Sequence, residues 1–131
     1  MTTVALILAG IAAALHVFIW TMESLTWKQP STWKKFGLAS QEEAETTAAL
    51  AYNQGFYNLF LAIAAATGIV LVAAKDGTCE TVGWTLIIAS CGMMLAASLV
   101  LLSTGKEYAR GAITQGTFPL LAVISSIIAL N

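Results

Sequence analysis

Glu23 is the residue of this chain that packing accounts for least. An acid near the end of an apolar segment needs water, a partner or a proton. Seven positions before it stands His16, the sole histidine, with Trp20 between them. On a helix that spacing puts all three on roughly one face. A second polar set lies in AYNQGFYNLFLAIAAATG, which opens polar and ends as apolar as lipid. It holds Asn53, Gln54, Tyr57 and Asn58, and the i,i+4 spacing gives Gln54 and Asn58 a shared face. Gln115, followed by Gly116, is a further amide in an apolar run.

Three kinds of function fit these residues. The one that asks least is structural or accessory: the amides join helices through hydrogen bonds worth about 1–2 kcal/mol or less. Another is binding or transport of a small, partly apolar molecule. There Glu23 exchanges a proton or pairs with a cation, while Gln54, Asn58 and Gln115 orient the solute. The last is a membrane enzyme in which His16 or Glu23 moves a proton on a lipid-soluble substrate and the amides hold a developing oxyanion. His and Glu at that spacing do not define a reaction, so no catalytic residue is assigned. No HExxH motif, serine elbow or phosphate-binding glycine loop appears. One histidine excludes bis-histidine haem ligation within a subunit. Cys79 and Cys91 lack ligand spacing and read as unpaired thiols, so no metal is expected and no cofactor is assigned.

The elements that must position these residues are membrane helices. Of 131 residues, 58% are hydrophobic and 10% charged, against about a quarter charged in soluble domains. Mean hydropathy is +0.80. The expected fold is all-α, a single domain over 1–131 forming a four-transmembrane-helix bundle. Its spans are read at about 3–25, 48–74, 80–102 and 112–130, the second helix starting in water near Gln41. The N-terminus reads as an uncleaved span, since it lacks a basic leader and its apolar run continues through Trp20. Ser40 with Glu43 predicts a capping box opening the second helix. Gly55, Gly68 and Gly83 predict close helix approach. Between the first two spans, Ser31 to Phe36 predicts a short interfacial helix with Trp33 and Phe36 turned to lipid and its lysines on headgroups.

Charge sets the expected topology and partners. Lys28, Lys34, Lys35, Lys106 and Arg110 lie in the first and third connections, which the positive-inside rule places in the cytoplasm. Both termini are then extracytoplasmic. His16, Glu23, Gln54, Asn58 and Gln115 fall within reach of one pocket open to the cytoplasm. A formal net charge of −1 argues against nucleic acid. Membrane lipids, a small partly apolar ligand and further copies of the chain are the expected partners, because four spans enclose little volume.

ALHVFIWTMES in span one, FGLAS before span two, NQGFYNLFLA within it and the Gln-Gly pair opening span four resemble the domain-of-unknown-function 1304 family. The resemblance covers essentially the whole chain. It implies a small, four-span, multi-pass protein of the bacterial inner membrane. The family's His and Glu positions would be His16 and Glu23. Its Asn-Gln-Gly-x-Tyr-Asn stretch would be Asn53, Gln54, Gly55, Tyr57 and Asn58, and its Gln-Gly pair Gln115 and Gly116. The resemblance implies no activity.

Overall fold

Helix accounts for 89% of the residues and strand for none. That is the arrangement in which each segment satisfies its own backbone in hydrocarbon. The computed structural model describes residues 1–131. Helix α1 (Thr2–Trp20) runs on through a π-helical turn, Thr21–Leu25. The short α2 (Pro30–Trp33) continues into a 3-10 turn, Lys34–Phe36. Then come α3 (Gln41–Ala73), α4 (Gly77–Thr104), and α5 (Ala109–Leu130). Four helical stretches are long and apolar enough to cross a membrane: Thr2–Leu25, Gln41–Ala73, Gly77–Thr104 and Lys106–Leu130. The chain is therefore an all-α, multi-pass membrane protein.

Helix α3 has 33 residues, about 50 Å at the helical rise. That exceeds a hydrocarbon core of about 30 Å, and the excess carries Glu42, Glu43 and Glu45, all exposed. The start of α3 is capped as its sequence predicts, with one change. The Glu43 backbone N–H donates to Ser40 Oγ at 3.1 Å. The returning arm is displaced by one residue, so Glu43 Oε2 accepts from the Ala39 N–H at 2.8 Å.

The chain forms two compact units, residues 1–15 with 61–131, and residues 16–60. In the first, Ala5, Ala9, Ala65, Ile87, Met94 and Ala122 belong to one buried core. Small side chains let these helices pack backbone to backbone, since lipid supplies no hydrophobic drive for association. Helices α3 and α4 approach closely through their backbones at a pair of glycines. A Cβ added to Gly68 would lie 2.7 Å from the Gly83 carbonyl oxygen, and one added to Gly83 would lie 2.7 Å from the Gly68 carbonyl oxygen.

The second unit holds the π-turn, the connection and the first half of α3. Side chains tie the connection down. The Trp33 indole N–H donates to Gln41 Oε1 at 2.9 Å, and Gln41 Nε2 donates to the Lys28 carbonyl at 3.0 Å. The Trp27 indole N–H donates to Thr47 Oγ1 at 3.2 Å. These bonds correct one expectation. The short helix is present, but Trp33 is only 8% exposed and turns inward rather than to lipid. Burying an indole N–H is favourable when an acceptor meets it, and Gln41 supplies one. Phe36 is half-buried against Trp27, with ring centroids 4.9 Å apart. Gly37, at φ 78°, ends the segment in the left-handed region.

Candidate functional site

The π-turn places Glu23. Its i→i+5 closure, Thr26 N–H to the Thr21 carbonyl at 3.1 Å, accommodates one residue more than a regular helical turn. Two contacts seat this turn on α3. Ser24 Oγ donates to the Tyr52 carbonyl at 2.9 Å. Opposite it stands Gly55, where a Cβ would run into Ser24 Oγ and come within 3.0 Å of the Glu23 Cβ. The missing side chain at Gly55 is what admits the Glu23–Ser24 backbone.

Glu23 is 8% exposed. Its Oε2 accepts a hydrogen bond from Asn58 Nδ2 at 2.8 Å. The same amide nitrogen makes a longer, 3.4 Å contact with the Gln54 carbonyl. No ion pair engages the carboxylate. One neutral donor is thin compensation for an acid removed from water. Glu23 also forms part of the wall of an open cavity of about 210 Å³, shared with Ser24, Thr26, Trp27, Lys28 and Tyr52. Aromatic rings flank the site: Phe56 meets Trp20 edge-on at 5.9 Å and Tyr52 at 5.0 Å. A larger hollow of about 570 Å³ lies in the other unit, where Glu80 and Trp84 of α4 face the chain ends at Thr2 and Leu130.

Of the residues singled out in the sequence, Glu23 and Asn58 are joined directly. His16 is fully buried on α1. Asn53, Gln54 and Tyr57 have exposed side chains on α3, and Gln54 reaches the site only through its backbone carbonyl. Gln115 stands half-buried on α5, next to buried Gly116, in the unit containing residues 61–131. The buried stripe of α3 explains the division. It runs through Ala44, Ala51, Gly55, Ala62 and Ala65, with half-buried Asn58 as its polar member. The stripe steps by alternating threes and fours, which leaves Gln54 at its flank. Following the small residues rather than the polar ones would have picked Asn58 out of the amides. Ser24, Thr26, Trp27 and Tyr52 complete the cavity wall without any polar pattern of their own in the sequence, and only nearness to Glu23 in the chain points to the first three.

A family model described as "Protein of unknown function (DUF1304)" matches residues 10–127. The chain belongs to the DUF1304 family. The DUF1304 match takes in the π-turn, the cavity wall, Asn58 and Gln115. No curated protein and no solved structure matches the chain.

Proposed function

We propose that this DUF1304 protein binds a small, partly apolar molecule at Glu23, within the inner membrane of a bacterium. The observation that carries this reading is a buried carboxylate in the wall of an open cavity, held by one amide and no cation. A purely structural acid would be enclosed by its partners. At about 210 Å³ the cavity is smaller than the roughly 300–1,000 Å³ that encloses a whole drug-sized ligand. It suits a polar head whose apolar tail stays in lipid. The inner-membrane placement rests on the family resemblance of ALHVFIWTMES and NQGFYNLFLA.

Ala48 lines the cavity, so Ala48→Trp fills it while leaving the Glu23 and Asn58 side chains in the sequence. Purified protein is heated with dodecyl amphiphiles bearing cationic, neutral and anionic heads. At least one should raise the melting temperature of the natural chain and lose that effect in Ala48→Trp, because a ligand stabilises only the state that binds it. Equal shifts in both proteins, or none in either, would remove the binding reading.

A structural role for the same contact is favoured by one observation, the close seating of the Glu23–Ser24 backbone against Gly55. On that reading the Glu23–Asn58 bond joins the end of α1 to α3, and the protein is an accessory membrane component.

The cavity opens beside the connection carrying Lys28, Lys34 and Lys35. We place that connection in the cytoplasm and both termini outside, on the support of the basic residues there and at Lys106 and Arg110. Ser31 and Thr78 are both exposed. In a background lacking Cys79 and Cys91, an impermeant maleimide added to intact cells should label Thr78→Cys. Ser31→Cys should react only after permeabilisation. The reverse pattern would invert the topology.

A further inference from the structure

We propose that the ligand head taken by the Glu23 cavity is an organic ammonium. This rests on the binding reading above and specifies the chemistry of the ligand. Asn58 occupies Oε2 of the carboxylate, which leaves Oε1 to accept from a ligand. A charged donor compensates a buried carboxylate better than a neutral one. The chain's own cations do not fill this role: Lys28 shares the cavity wall, yet its side chain is exposed and makes no ion pair with Glu23.

The remaining walls fit a cation as well. Trp27 and Tyr52 line the cavity, and aromatic faces attract ammonium groups through the ring quadrupole. Both are held by other contacts, Trp27 through its indole bond to Thr47 and Tyr52 by Phe56. Preorganised walls lower the ordering entropy lost on binding. Lys28 then has a use at the same cavity. Its ammonium suits the phosphate of a zwitterionic head whose own ammonium meets Glu23. Two sources supply this chemistry, the phosphoethanolamine head of a membrane lipid and a free amphiphilic amine.

Four amphiphiles separate the outcomes by native mass spectrometry of the intact protein: lysophosphatidylethanolamine, dodecylammonium, lysophosphatidylglycerol and dodecanol. The two ammonium compounds should bind the natural chain. Glu23→Gln should weaken both by about tenfold or more, the loss expected on removing a charge-assisted hydrogen bond. That variant keeps the acceptor for Asn58, so its melting temperature without ligand should stay close to that of the natural protein. Weakening of lysophosphatidylethanolamine alone by Lys28→Ala identifies the lipid head as the source. Binding of dodecylammonium at least as tight as that of lysophosphatidylethanolamine, with neither affected by Lys28→Ala, identifies the free amine. Either result supports the inference. If dodecanol and lysophosphatidylglycerol bind as tightly and Glu23→Gln changes nothing, the ammonium assignment falls while the cavity still binds. If none of the four binds, the ammonium assignment and the binding reading fall together.

Discussion

Gly83→Val is expected to prevent α4 from docking on α3. An added Cβ would lie 2.7 Å from the Gly68 carbonyl oxygen and 2.7 Å from the Val72 backbone nitrogen. Overpacking against side chains costs about 1–3 kcal/mol because rotamers adjust. Here the obstructing atoms belong to the helix backbone, so the two helices must separate. The loss should exceed about 3 kcal/mol, the upper end of that range. Gly92 supplies the control on the same helix, because a Cβ there meets nothing within 4 Å. Gly92→Ala should leave stability unchanged or raise it by up to about 1 kcal/mol, the helix-propensity difference. Unfolding in a graded mixture of mild and denaturing detergent, followed by circular dichroism, separates the two. Equal stability of Gly83→Val and the natural protein would mean that the glycine contact does not hold α3 and α4 together.

Asn58→Leu should be the most damaging change at the site itself. It removes the donor to Glu23 Oε2 and leaves a buried acid without a protein partner. An unsatisfied buried polar group costs about 1–3 kcal/mol, and a charged one more. The decisive comparison is with the pair. Replacing both partners by apolar residues leaves nothing unsatisfied, so Glu23→Leu with Asn58→Leu should recover most of the stability lost by Asn58→Leu alone. The same unfolding assay gives the coupling through a double-mutant cycle. Strict additivity would show that the 2.8 Å bond contributes nothing as a pair.

Much of this architecture is legible in the sequence because hydrocarbon permits few solutions. Long apolar runs specify helices, and Gly68 and Gly83 mark where helices meet because only glycine allows that approach. Ser40 and Glu43 announce the start of α3 through local chemistry. Glu23 is legible as an oddity for the same reason, since an acid in an apolar segment requires a local remedy. Its partner is harder to identify. Asn53, Gln54 and Asn58 have similar chemistry, and only the path of the buried stripe on α3 separates them. The π-turn leaves no clear mark in TMESL, and the room it packs into is supplied by Gly55 of α3, about thirty positions away. Trp33 shows the same limit at the connection. A tryptophan beside lysines resembles a membrane anchor, and its inward acceptor, Gln41, stands eight positions on in the next helix.

Gln41 also determines how the connection comes apart. One amide group accepts from the Trp33 indole and donates to the Lys28 carbonyl. Two points of the connection, one near its start and one midway, are thereby fastened to one side chain at the first residue of α3. Loss of that one side chain would release the Lys28 carbonyl and the Trp33 indole together. Trp27 is tied separately, through its indole bond to Thr47. Because Lys28 and Trp27 also belong to the cavity wall, that wall is held at Lys28 by Gln41 and at Trp27 by Thr47.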